Sequence, residues 1–395
     1  MFYELQPKIQ RENYKKMLSI VGSLTQLFSE SDCPYLAYRA HENIFCKYFE
    51  AENLARLDCS ADAKKNRIGI GLKTWTGQDD QKVAEFGKLR ETFAGLTGLD
   101  LVKKIAEYRN ERIRVTKNLN GIDEMIYHVI KRVPGAMQVL ECAFDYIDIE
   151  HISLITNRGN VNNTYFTDGH HTYHFSTSKN TLYMIFEDLV LLDNFNVEIM
   201  DDPYTCLMNL MPSVSAEAVA EYTEPQPVVP KANQVCLRLY STKPNGTKYV
   251  AEKSGLNQWN GARFVRRTGD YKPRDPNELY IPYPAEDRRN TVGFFPDRDT
   301  VFNLRLPDGS EIPAKICQDD GKAIMSNPNN LLGEWLLRKV FELPEGTLVT
   351  YDMLLKFGID SVVFTKHDEL DYSVDFAEIG TYETFYGHSL TDAEE

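Results

Sequence analysis

Asp62 and Lys73 are the residues whose types and spacing invite chemistry. An acidic turn from Glu52 to Ala63 leads through a short loop into Ile68-Gly69-Ile70-Gly71-Leu72-Lys73-Thr74-Trp75. Ile68, Ile70 and Leu72 recur with a period of two, which predicts a strand. Such a strand carries Lys73 to one face at its far end. A carboxylate before the strand and an ammonium on it can converge on one point. There Asp62 would bind a divalent metal, and Lys73 would sit beside an attacking water.

The elements around this stretch suit an α/β core. Leu18, Val21, Leu24, Leu27 and Phe28 are spaced for a helix over residues 14–29, which Asp32-Cys33-Pro34 ends. Ile44, Phe45, Tyr48 and Phe49 share one face of a second helix over residues 41–54, with Glu42 and Glu52 near its ends. A further helix is expected over residues 80–93 and a basic one over 99–112, where Arg109, Arg112, Arg114 and Lys117 could meet a phosphate backbone or simply face water. Residues 120–186 read mostly as strands. His170, His171 and His174 lie among tyrosines at no metalloprotease spacing, so a hydrogen-bonded, half-exposed strand is expected rather than a zinc site. Ser176-Thr177-Ser178 looks like the cap of a helix over residues 182–191, and capping is the safer role for Lys179 as well.

Length and composition bound the answer. A chain of 395 residues with 42% hydrophobic content should hold two or three packed domains. No apolar run is long enough for a membrane span, and the first residues lack the pattern of a signal peptide. Seven scattered cysteines without a CxxC pair argue against structural zinc and for a reducing, cytoplasmic setting. The net charge of −14 speaks against nucleic acid only at first sight, because phosphate binding depends on local patches. Residues 368–395 hold nine acids and no Lys or Arg, whereas residues 256–274 hold five basic residues against one acid.

Residues 212–232, rich in Pro, Ser, Ala and Glu, read as a linker. Beyond it come short strands at residues 235–240, 280–283, 301–306, 312–316 and 361–364, a hairpin turn at Pro307-Asp308-Gly309 and a helix over residues 329–341. Many short strands with few helices suggest a small barrel. Two polar segments interrupt it. One carries Gln258, Trp259, Asn260, Arg263, Arg266 and Arg267, with Lys272 and Arg274 beyond. The other carries Gln318, Lys322, Ser326, Asn327 and Asn330. Arginine pairs with guanine and Asn or Gln with adenine in the major groove, so these loops are suited to reading bases.

Leu256-Asn257-Gln258-Trp259-Asn260, Pro276-Asn277-Glu278-Leu279-Tyr280-Ile281-Pro282, Phe294-Phe295-Pro296, Lys322-Ala323-Ile324-Met325-Ser326-Asn327-Pro328 and Leu332-Gly333-Glu334-Trp335-Leu336-Leu337-Arg338 resemble the C-terminal recognition domain of NgoFVII-type restriction endonucleases. That domain is similar to the plant B-three-type pseudobarrel and to the EcoRII and BfiI effector domains. The resemblance implies two arms that clamp the major groove, and the two polar segments match them. The usual nuclease half of that family is phospholipase-D-like and needs an HxK motif, yet none of the eight histidines here is followed two residues later by Lys.

The first half instead resembles the PD-(D/E)xK nuclease core, which cuts phosphodiesters with magnesium. The chain departs from it in two places: Asp62 follows Ala61 rather than proline, and Gly71 stands where the second acid should be. Some restriction endonucleases of that superfamily supply the acid from the next helix, which makes Glu85 the substitute. An acid on the first helix also recurs, and Glu42 and Glu52 compete for that role. The resemblance thus implies Asp62 and Glu85 as Mg2+ ligands and Lys73 as the group that orients water. Magnesium held by carboxylates stabilises charge building on phosphate oxygens.

The expectation is therefore an α+β protein of two domains. Residues 1–211 would form an α/β restriction-endonuclease-like nuclease, with a core over 14–118 and a β-rich extension over 120–200. Residues 233–386 would form a β pseudobarrel of the plant B-three type, and 387–395 an acidic tail. The function implied is a Type II restriction endonuclease acting on double-stranded DNA, as monomer or homodimer, beside a separately encoded cognate DNA methyltransferase and with no membrane. The alternative is a DNA-binding or modified-base-sensing protein with a degenerate nuclease domain.

Overall fold

The strand that carries Lys73 lies inside a mixed sheet and not at its edge. The computed structural model of the chain describes residues 1–54, 59–77, 80–158, 162–210, 233–261, 264–265, 271–272 and 274–387. The predicted linker, 212–232, lies outside them. The chain divides into two compact units, one of Met1–Ile113 and Ile122–Gln226, the other of Arg114–Gly121 and Pro227–Glu395.

The first unit opens with helices α1 (Phe2–Leu5), α2 (Lys8–Ser23) and α3 (Tyr38–Phe49). Strands β1 (Glu52–Asn53), β2 (Ala63–Lys65) and β3 (Ile68–Trp75) follow as an antiparallel meander. After β4 (Gln81–Glu85), helix α4 (Gly98–Asn120) returns the chain so that β5 (Glu124–Val133) runs parallel to β3. A parallel neighbour needs such a helical crossover. With β6 (Ala136–Ala143) and β11 (Val190–Asn196) the sheet has the order β1-β2-β3-β5-β6-β11. Between β6 and β11 lie β7 (Ser153–Leu154), β8 (Asn163–Thr167), β9 (Thr172–Ser176) and β10 (Thr181–Ile185), which join β4 in a second sheet, β4-β10-β9-β8-β7.

Alternation along β3 decides what each face meets. Ile70 and Leu72 pack with Ile126, Ile130, Phe45, Phe49 and Tyr14 on the side of the N-terminal helices. Gly69, Gly71 and Lys73 occupy the other face, in register with Met125, Tyr127 and Val129. Gly71 is fitted to its place: a Cβ there would come within 2.8 Å of the Tyr127 ring. An acid at this position, as the PD-(D/E)xK pattern has it, would displace that ring from its stack on Phe144, 4.1 Å between centroids.

A buried polar chain threads the apolar layer. The Tyr3 N–H donates to Glu141 Oε1 (3.0 Å), which lies 2.9 Å from His128 Nδ1. His128 Nε2 is 3.0 Å from Tyr14 Oη, and Tyr14 Oη is 2.8 Å from His41 Nε2. His128 and Glu141 face each other across β5 and β6 and are fully buried. Burial, aided by His128 and Lys73, holds the His41 imidazole well below its usual range.

Three sequence expectations fail here. Residues 80–93 form strand β4 and a 3-10 segment, Gly87–Phe93, in place of a helix. The short run Gln81–Glu85 pairs with β10, a partner nearly a hundred residues on, and that ladder overrides local helix preference. Residues 182–191 are not helical either: the polar run before Thr181 turns the chain from β9 into β10, with Asn180 at φ 46°. The helix with Glu42 ends at Phe49, and Glu52 lies on β1.

The second unit is built on a seven-stranded, nearly closed sheet. Its strands are β12 (Gln234–Arg238), β17 (Ile281–Pro282), β18 (Val301–Arg305), β19 (Glu311–Cys317), β20 (Ala323–Ser326), β21 (Ile359–Asp368) and β22 (Asp371–Glu378). The order is β12-β21-β22-β18-β19-β20-β17, with two small hairpins, β13 (Ser241–Thr242) with β14 (Lys248–Tyr249) and β15 (Phe264–Val265) with β16 (Tyr271–Lys272). All pairs in the large sheet are antiparallel except β18 with β22. Inward residues, among them Leu237, Phe302, Leu304, Ile316, Phe364 and Val374, make its core. Pro307-Asp308-Gly309 turns β18 into β19, with Gly309 at φ 84°.

The helical stretch Leu331–Gly333 and Glu334–Val340 packs onto this core. Gly333 touches backbone so closely that a Cβ would lie 1.7 Å from the Asn277 carbonyl oxygen. Overpacking against backbone has no soft way out, so Gly333→Ala is expected to cost at least about 1–3 kcal/mol. A denaturant midpoint equal to the parent's would show that this contact is relaxed.

Candidate functional site

Asp62 is pinned between two strands. Its N–H donates to the Ile70 carbonyl (2.9 Å), its carbonyl accepts from Leu54 N–H (3.0 Å), and its Oδ2 accepts from Leu72 N–H (2.7 Å). Oδ1 carries no hydrogen bond among the described residues. Because Ala63 pairs with Ile70, Asp62 lies beside Gly71, the small residue that leaves it room.

Glu42, on α3, is the acid that joins it. Its side chain is 9% exposed, and Oε2 accepts from Arg39 Nη1 at 2.9 Å. Burial raises its pKa, Arg39 lowers it, and the Asp62 carboxylate and Lys73 ammonium act on it in opposite senses. One turn along α3, burial and the same two carboxylates push the Cys46 thiol up to about 11. Glu42, Asp62 and Lys73 are thus electrostatic neighbours. Lys73 is half-buried and forms no ion pair or hydrogen bond among the described residues. An ammonium left without a carboxylate partner is available to a water or a phosphate oxygen.

The other two candidate acids are engaged elsewhere. Glu52 pairs with Lys64 at 3.3 Å, and its side chain is exposed. Glu85 lies in the second sheet, exposed, with Oε2 2.8 Å from Lys82 Nζ. The expected helix that would have brought Glu85 back to the strand is absent. Among the described residues no group of three or more His, Cys, Asp or Glu could hold a metal ion. Asp62 and Glu42 offer carboxylate oxygens only, the ligand type that a hard cation prefers.

Three arginines of α4 that could meet a phosphate backbone or face water are bound within the fold. Arg109, almost fully buried, donates to the Asp145 carbonyl (2.7 Å), and Arg112 donates to the Glu85 carbonyl (2.9 Å) over the Phe86 ring. Arg114 donates to the Val340 and Phe341 carbonyls. The histidines do not converge. His174 is stacked between Tyr165 and Tyr183 with Nδ1 2.6 Å from Asp80, whereas His171 faces Asp145 at 3.6 Å and His170 is exposed.

In the second unit the candidate base readers divide. Gln258 is buried, and its amide oxygen, turned toward Arg274, accepts from both guanidinium nitrogens at 2.7 and 3.0 Å. Arg274 also pairs with Glu278. Asn260 donates to the Glu252 carbonyl (2.9 Å), Asn330 to Glu334 (2.6 Å), and Ser326 Oγ caps Leu332 N–H from a buried position. Trp259 packs against the core. Lys322 and Asn327 are exposed and Gln318 is half-buried, so these three stay available to a partner. Arg263, Arg266 and Arg267 lie outside the described residues; Lys272 is described only as backbone in β16.

The arrangement is a nearly closed barrel with polar loops. Residues 233–368 match the NgoFVII C-terminal B3-like DNA-binding domain. That B3-like match covers six of the seven strands of the large sheet and ends just before β22, and it supports DNA as a partner in a restriction system. No curated protein matches the chain. No described helix is long and apolar enough to cross a membrane.

Proposed function

We propose that the chain is a Type II restriction endonuclease, in which a magnesium-dependent nuclease is joined to the B3-like unit that finds the site. The match of residues 233–368 to a restriction-enzyme DNA-binding domain carries this reading. The first unit adds support: an antiparallel β1-β2-β3 meander, a parallel β5 after a helix, and Glu42, Asp62 and Lys73 as neighbours where β2 meets β3. A cognate methyltransferase, a cytoplasmic setting and a monomeric or homodimeric state belong to the same proposal.

Asp62 and Glu42 would hold Mg2+, with Glu42 taking the place that the resemblance gave to Glu85. The ion, when bound, supplies positive charge to a phosphodiester and to the water that attacks it. Asp62 keeps its orientation through Leu72 N–H, so its second oxygen points the same way in every turnover. Lys73 donates a hydrogen bond to the attacking water or to a phosphoryl oxygen, which aligns the in-line displacement.

Incubating the protein with plasmid and bacteriophage DNA, with Mg2+ and with EDTA, tests this directly. Discrete fragments with Mg2+ and intact DNA with EDTA are expected, and sequencing the ends gives the site. Binding without cutting would favour the modified-base sensor. The pH profile adds a second check. Burial lifts the Glu42 pKa, so its carboxylate is lost on acidification sooner than an ordinary glutamate's. Because Mg2+ competes with that proton, the acid limb of cutting should lie at higher pH with limiting Mg2+ than with saturating Mg2+. Glu42→Asp should move that limb, whereas an unmoved limb would assign it to another group.

A further inference from the structure

Beyond Lys73 the same face of the sheet continues with an aromatic ring and a second ammonium. Trp75 is in register with Lys131 on the parallel strand β5, as Lys73 is with Val129. Lys131 Nζ stands 5.4 Å from the centre of the Trp75 ring. Gly77, at φ 84°, lets the chain pass so close that a Cβ there would come within 2.7 Å of Lys131 Cε. The lysine stem is thus held by a ring on one side and a turn on the other. Like Lys73, Lys131 has no carboxylate partner among the described residues. In a chain of net charge −14, Lys131 adds a second ammonium to the face on which Lys73 stands.

Their spacing matters. Two residues along a strand and one strand across separate the two side chains by about 8 Å at ordinary strand rise and spacing. That is on the scale of successive phosphates along one nucleic-acid strand. A cation stacked on indole has also lost part of its freedom before any ligand arrives, which lowers the entropic cost of binding.

We propose that Lys131, braced by Trp75, binds the DNA-backbone phosphate next to the one at Lys73. This rests on the nuclease reading for the identity of the neighbouring phosphate, but the contact itself is a binding event and needs no cutting. Each phosphate contact contributes about 0.9 to the slope of log K against log salt. The experiment is a salt titration of binding to a long duplex of mixed sequence, in EDTA, with the full-length protein. Lys131→Gln and Lys131→Met should each give a slope shallower by about 0.9. Lys131→Met keeps an apolar stem against Trp75, so it covers the case in which the glutamine variant folds poorly. Lys131→Arg and the control Lys16→Gln, an exposed lysine on α2, should keep the parent slope. A parent slope in both charge-deleting variants overturns the proposal, as does an equal change in Lys16→Gln, which would report net charge alone. Because cutting plays no part, a protein that never cuts DNA defeats the nuclease reading and leaves this result standing.

Discussion

The Lys73→Ala protein is expected to cut duplex DNA about 10²–10⁴-fold more slowly and to lose no more binding than one phosphate contact supplies. The reason lies in where the ammonium stands. It forms no ion pair among the described residues, so its removal strands no buried partner and should leave the fold intact. Glu42 feels both it and Asp62, so its removal takes positive charge away from the site. Gel-shift affinity and single-turnover cutting of the same fragment make the measurement. Parent-like cutting would remove Lys73 from the chemistry, and a parallel loss of binding would make it a grip. Asp62→Asn should be inactive for a different reason: the amide can still cap Leu72 N–H but holds a cation poorly. Excess Mg2+ should therefore recover part of the Asp62→Asn activity and none of the Lys73→Ala activity.

The strand that bears Lys73 was legible because alternation of Ile68, Ile70 and Leu72 with glycines has one physical meaning, a sheet with one tight face. The turn at Pro307-Asp308-Gly309 was legible because glycine is the residue that takes φ 84° without strain. The acid beside Asp62 was not: the resemblance assigned Glu85 and left Glu42 and Glu52 to compete for an assisting role. All three are acids near the right strand, and only the fold shows that Glu52 and Glu85 have lysines of their own. The same limit applies to the polar loops. Gln258, Ser326 and Asn260 have the residue types that read bases, yet each is spent on holding the loops together. Arg109 and Arg112 look like phosphate binders in sequence; their donors close the carbonyls of nearby loops. Lys131 has no signature in the sequence, because one lysine at the end of an apolar strand carries no signal until Trp75 is placed beside it.

Single replacements in the buried chain from Glu141 to His41 should be among the most damaging in the first unit. His128 and Glu141 are fully buried, and among the described residues only each other, Tyr3 N–H and Tyr14 compensate their loss of water. His128→Leu would leave the Glu141 carboxylate in an apolar layer with only the Tyr3 N–H, and a loss of about 3–5 kcal/mol is expected. Glu141→Leu frees the Tyr3 N–H and the His128 ring in the same way. Replacing both by leucine removes the polar groups together, so the double variant should be more stable than the sum of the two single losses predicts. Denaturant midpoints for the four proteins close the cycle. Additive losses would mean that the two side chains do not act as a pair. The chain ends at His41, the residue before Glu42 on α3, so the double variant also separates stability from chemistry. If it folds well but its acid limb of cutting shifts, the buried chain tunes Glu42 as well as holding the sheet. If the limb stays where it was, its work ends with the fold.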